Sequence, residues 1–208
     1  MDTALWDFSR ATGVVALVLL TVSLCLGITV RSRTRPAGLP QYGVTALHKS
    51  ASLTATGLIG VHLITLLLDS QAKVNLTDLL IPFLGARHPF WQGLGTLALE
   101  VLGLVVLSGL ARRRLGERAF RWLHLTSYAL WPLALLHGLG NGTDARTPWM
   151  LSLCAVCTIA VLAAGWWRLG PSFPVARRSA AARLQHPEAL RTADALGGEA
   201  LVGQPVGQ

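Results

Sequence analysis

The 208 residues are 52% hydrophobic and only 13% charged, against about 25% charged in an ordinary soluble domain, so the composition excludes a soluble globular fold. The net charge of +8 does not point to nucleic acid, because the basic residues gather at the ends of long apolar runs, where they report membrane orientation. Cys25, Cys154 and Cys157 all lie within apolar segments, which is not the pattern of a secreted disulfide framework and leaves the redox compartment open.

Five apolar runs reach the length of about 20 residues needed to cross a bilayer. The first covers about 9–30 and ends at the arginines of 31–35. It has no basic stretch before it and no small-residue cleavage site, so it reads as a retained helix rather than a removed signal. The second covers about 44–68 and stops at Asp69-Ser70-Gln71. The segment 70–90 reads as an outer loop, within which 74–83 has the pattern of a short interfacial helix. The third span covers about 91–111 and is followed by Arg112-Arg113-Arg114, the fourth covers about 119–139 and ends at Gly140-Asn141-Gly142, and the fifth covers about 148–168 before Gly170-Pro171. Gly, Pro and Asn at these ends are helix stops.

The expected fold is thus an all-α membrane bundle of about five transmembrane helices. With the N-terminus outside, all 18 Lys and Arg residues except Arg10, Lys73, Arg87 and Arg146 fall on the inner side, and the positive-inside rule then gives N-out, C-in. The membrane domain spans 1–169. The remainder, 170–208, is rich in Ala, Arg, Gly and Pro and reads as a disordered cytoplasmic tail, since it lacks the large apolar residues of a core. No internal repeat of significance stands out.

The chemistry lies in four histidines within the second and fourth spans. His48 and His62 are fourteen residues apart, His124 and His137 thirteen. Ionisable residues inside a membrane are costly and mark function, and neutral imidazole suits axial haem ligation from facing helices. Both spans run from inside to outside, so depth pairs His48 with His124 and His62 with His137. At 1.5 Å rise per residue the two levels are roughly 21 and 20 Å apart along the helices. Fourteen residues fall about 40° short of whole turns, so His48 and His62 share a face, whereas thirteen fall about 140° short. His124 and His137 can therefore face one partner only if the helix rewinds or kinks, and Pro132 between them offers a place for that. Two other readings stay open on the residues alone: buried, hydrogen-bonded structural histidines, and a haem-free transporter or structural protein handling zinc or copper. The two levels are too far apart for one mononuclear site.

The chain resembles the ferric-reductase-like transmembrane domain family, whose members include metalloreductases, NADPH oxidases and the haem-binding membrane subunit of a methionine-sulfoxide reductase system. The resemblance covers about 5–168 and rests on Trp6 to Gly13, on Leu47-His48-Lys49-Ser50, on Val61-His62, on Trp122-Leu123-His124, and on the run from Leu136-His137 to Asp144. It implies two haem b groups with His48, His62, His124 and His137 as the iron's axial ligands. It also implies electron transfer from a cytoplasmic-side donor, a flavoprotein reductase or a membrane quinol, to an outer acceptor at the plasma membrane. Many family enzymes carry a flavin and nicotinamide domain after the last span. Here fewer than 40 residues follow it, with no phosphate-binding glycine loop, so this chain is not expected to bind flavin or NAD(P) itself. Five spans also depart from the family's six. A non-enzymatic haem subunit of a larger membrane redox complex is the alternative.

Other residues carry weaker signals. Arg10, at the outer start of the first span, suits bidentate contact with a carboxylate and is a candidate for an outer haem propionate, or else an interfacial anchor. Glu100, mid-span, is either a proton or quinone group or a protonated acid bonded to a nearby hydroxyl. Lys49 and Arg121 read as topology charges, Gly13, Gly57 and Gly60 as space for porphyrin faces or for helix approach, and Trp131 as packing between the two histidine levels. Cys154-x-x-Cys157 reads as small-residue packing, His88 and His186 as solvated, and Trp166-Trp167 as an interfacial belt.

Overall fold

In a computed structural model the described residues are 2–32, 38–69, 72, 74–85 and 88–170. They form seven helices and no strand: α1 Asp2–Ser32, α2 Gln41–Leu68, α3 Leu76–Leu80, α4 Pro89–Leu110, α5 Arg112–Leu125, α6 Ser127–Asn141 and α7 Pro148–Leu169. The tail expected beyond 170, with His186, and the basic residues Arg33, Arg35, Lys73 and Arg87 lie outside the described residues.

The breaks between helices follow local chemistry. Pro40 precedes α2 in an extended conformation, and Pro89 and Pro148 occupy the first turns of α4 and α7, where a missing N–H costs nothing. Gly142 and Gly170 end α6 and α7. The short helix α3 is stapled at its start by the Asp78 carboxylate, which accepts from the Asn75 backbone N–H at 3.0 Å. A short helix was expected in 74–83, and α3 lies within that segment.

Four helices, α1, α2, α4 and α7, are long and apolar enough to cross a membrane. The span expected at about 119–139 is interrupted. Its inner part belongs to α5 and its outer part to α6, whose 15 residues reach only about 22 Å, less than the hydrocarbon thickness of about 30 Å. The junction at Thr126 keeps right-handed helical torsions (φ −62°, ψ −20°) but tightens. The Thr126 N–H bonds the Leu123 carbonyl at 3.1 Å, and the Ala129 N–H bonds the Thr126 carbonyl at 2.9 Å, both i→i−3 closures of the 3₁₀ kind. Upstream, Gly116 adopts φ 73°, ψ 164°, a region essentially confined to glycine, and breaks α5 from within.

Packing arranges these helices as two pairs. Helix α1 packs along α2, α4 packs along α6, and α1 joins the pairs through its contacts with α6 and α7. Helix α2 has no comparable packing with α4, α5 or α6, so a gap separates α2 from α6. The core that fixes this spacing is small. Leu17, Trp131, Met150, Cys154 and Cys157 form one buried cluster, with Ala98, Leu102 and Leu130 forming another. Trp131 is 6% exposed, and its indole Nε1 donates to Thr21 Oγ1 at 2.8 Å. The outward faces of α2, α4 and α7 carry exposed Leu68, Leu107, Ile159 and Leu162. An apolar exterior of this kind suits lipid rather than water.

Candidate functional site

The four histidines fall in twos, His48 with His124 at one end and His62 with His137 at the other. At the inner end, the His48 and His124 rings lie 6.3 Å apart between centroids, at an interplanar angle of 84°. Two imidazoles sharing one metal ion through nitrogens at about 2 Å each would have ring centroids roughly 6 Å apart, so this separation fits axial ligation of a single iron. At the outer end, His62 and His137 line one cavity of about 870 Å³, together with Arg10, Gly13, Leu20, Gly95 and Leu102. That volume lies within the range of about 300–1,000 Å³ typical of cofactor and ligand pockets, and it is bounded by apolar side chains along most of its length. Among the described residues no three His, Cys, Asp or Glu side chains converge as a metal site. The histidines come in twos, a donor set that would suit a haem iron.

Backbone contacts fix the protonation of three of the four rings. His48 Nδ1 lies 2.8 Å from the Ser23 carbonyl oxygen, His62 Nδ1 2.8 Å from that of Ser9, and His137 Nδ1 2.9 Å from that of Trp91. A carbonyl oxygen only accepts, so each Nδ1 carries the hydrogen, and a neutral imidazole then presents Nε2 as a bare lone pair. Metal-ligating histidines are oriented in this way by a second acceptor. His124 is the exception: it has no hydrogen-bond partner among the described residues and instead stacks on Phe120, with centroids 5.3 Å apart, while the Arg112 guanidinium sits 4.9 Å from the centroid of the same Phe120 ring.

The tightened turn at Thr126 turns His124 part of the way toward the face of His137. Three residues wound at 120° rather than 100° add about 60° and reduce the shortfall of about 140° to about 80°. The rewinding therefore falls six residues before Pro132, through which α6 continues.

The remaining sequence candidates separate cleanly. Arg10 lines the outer cavity and is ion-paired with Asp7 at 3.3 Å and with Asp144, another lining residue. Its carboxylate partners are thus the chain's own. Gly13 faces the His62 ring, whereas Gly57 and Gly60 have open space where a Cβ would lie. Glu100 is exposed on the outer face of α4, away from the histidines, with no hydrogen-bond partner among the described residues. Lys49 and Arg121 are exposed, as is His88, which edges the cavity mouth. Trp131, Cys154 and Cys157 pack in the core. Phe120 and the carbonyls of Ser9, Ser23 and Trp91 were not singled out by sequence, and Asp144 entered only as the end of the run that carries the family resemblance. A backbone acceptor leaves no residue-type signal, and Phe120 was legible only as the residue one helical turn before His124.

Comparison with known proteins agrees with this architecture. The profile of a family described as ferric reductase like transmembrane component matches residues 12–135. The chain belongs to that family. The match takes in His48, His62 and His124 and stops two residues short of His137. No curated protein and no solved structure matches. Family membership places the chain among membrane proteins that transfer electrons across the bilayer, generally with haem and with redox partners, and the four span-length helices agree.

Proposed function

We propose that this chain carries electrons across the plasma membrane through two b-type haems, His48 and His124 holding the inner one and His62 and His137 the outer one. The observation that carries the reading is the pair of imidazoles His48 and His124 at 6.3 Å between centroids, a separation at which nothing but a shared metal or direct edge contact fits. The Nδ1-protonated state of His48, His62 and His137 supports it, since Nε2 is then the donor nitrogen at three of four positions. The gap between α2 and α6 and the outer cavity supply room for a planar group.

When bound, haem would supply a one-electron carrier, held by His48 with His124 and by His62 with His137. The protein's part is positional. Helix α1 orients the α2 histidines, α4 orients His137, and the apolar walls exclude water from the outer cavity. Arg10, at the cavity mouth, is already paired with Asp7 and Asp144, so it would hold an acidic haem edge only by exchanging one of these carboxylates for it.

In this reading residues 1–169 are the haem-bearing membrane domain, oriented N-out and C-in, and 170–208 a cytoplasmic tail. The donor is a cytoplasmic flavoprotein reductase or a membrane quinol, and the chain acts as the haem subunit of a larger redox system. The test is spectroscopic. Purified protein should show a low-spin haem Soret band and sharpened visible bands on reduction, with reduction driven by a flavoprotein reductase or by quinol. A purified, folded protein with no haem absorption would overturn the reading.

A further inference from the structure

Helix α1 presents the same short unit to both α2 histidines. Ser9 contributes its carbonyl oxygen at 2.8 Å and its hydroxyl at 3.1 Å to His62 Nδ1. Ser23, fourteen residues on, contributes its carbonyl at 2.8 Å and its hydroxyl at 3.3 Å to His48 Nδ1. Four residues after each serine stands a glycine against the same ring. A Cβ on Gly13 would lie 3.3 Å from the His62 ring, and one on Gly27 would lie 3.2 Å from the His48 ring. The two helices run antiparallel, so a fourteen-residue advance on α1 matches the fourteen-residue interval between His48 and His62 on α2. Each advance falls about 40° short of whole turns, which keeps both units on one face.

We propose that Ser9–Gly13 and Ser23–Gly27 are a duplicated brace, two positioning units that set the tautomer and rotation of His62 and His48 separately. The carbonyl forces the proton onto Nδ1, the hydroxyl provides a second acceptor for it, and the glycine clears the volume the ring occupies. The inner unit is reinforced. Ser52 Oγ donates to the His48 carbonyl at 2.8 Å, so Ser23 Oγ, 2.6 Å from Ser52 Oγ, donates to it and keeps its lone pairs toward Nδ1–H. Helix α4 repeats the four-residue offset once, with the Trp91 carbonyl and Gly95 against His137. Gly109, fourteen residues beyond Gly95, has nothing within 4 Å, and His124 has no such brace among the described residues. The repeat is readable in the sequence as Ser-x-x-x-Gly twice, but only the pairing with α2 gives it meaning.

The proposal deepens the two-haem reading and rests on it for the redox readout alone, because the tautomers exist in the chain with no group bound. The experiment uses the full chain labelled with [15N]histidine in lipid bilayers, with imidazole nitrogens read by solid-state NMR and signals assigned by single histidine variants. Gly27→Val should abolish the Nδ1–H signature of His48 and leave that of His62, and Gly13→Val should do the reverse. Ser9→Ala and Ser23→Ala, milder changes that keep the carbonyl, test the hydroxyl alone. Each should raise the midpoint potential of one haem only, since a ligand whose N–H loses an acceptor is less basic; Ser→Thr at the same position should restore it. Site-selective tautomer loss in a chain that binds no haem would uphold the brace and overturn the haem reading. Variants that affect both histidines alike, or leave tautomers and potentials unchanged, would overturn the brace.

Discussion

The His137 ring lies closer to its glycine than the His48 and His62 rings lie to theirs. A Cβ placed on Gly95 would lie 2.6 Å from two atoms of its ring, closer than side-chain carbons approach one another, and the obstacle is a ring already anchored to the Trp91 carbonyl. Gly95→Ala should therefore displace His137 and empty the outer site while sparing the inner, lowering haem content by about half in a pyridine haemochrome assay. Trp131 allows a different kind of test. Its indole is buried in the core and bonded to Thr21, and Thr21 keeps a second bond to the Leu17 carbonyl. Trp131→Phe should cost about 1 kcal/mol, the worth of one hydrogen bond, and lower the thermal midpoint by roughly 2–4 °C. Rates of haem reduction should stay at the wild-type value if Trp131 serves packing; slowed reduction with an unchanged midpoint would assign it to the electron path instead.

Most elements were legible because bilayer-length apolar runs and their Gly, Pro and Asn stops are strong signals. The readings for 9–30, 44–68, 91–111 and 148–168 fall within α1, α2, α4 and α7 to a residue or so. The α5–α6 junction was not legible. Two i→i−3 hydrogen bonds at Thr126 decide where the rewinding occurs, and nothing about threonine announces them, whereas Pro132 drew attention to a place where α6 simply continues. The same limit hid the carbonyl acceptors, while the histidines themselves were plain from depth and spacing. The junction makes a prediction at its own scale. One alanine inserted after Thr126 rotates α5 by about 100° relative to α6. Because His137 and Gly140 lie against α4, the displaced part should be His124. The variant should retain the outer haem and lose the inner, read as one of two components missing from a redox titration.

For the whole molecule, two helix pairs joined through α1 leave a cavity at the His62 and His137 end, and the apolar exterior suits a bilayer. The proposed orientation rests on charge, which would put Arg112, Arg113 and Arg114 inside and Arg10 outside. In a background with Cys25, Cys154 and Cys157 replaced by serine, Asp2→Cys should react with a membrane-impermeant maleimide on sealed cells, and Arg113→Cys only after permeabilisation; the opposite pattern would invert the direction of electron flow. The central claim is that the histidines work as two independent pairs, and the ratio of haem to protein tests it most directly. Wild-type protein should hold two haems per chain, His48→Ala and His124→Ala should each hold one, His62→Ala and His137→Ala should each hold the other, and His48→Ala/His62→Ala should hold none. A wild-type chain without haem, or single variants that keep both, would contradict the account.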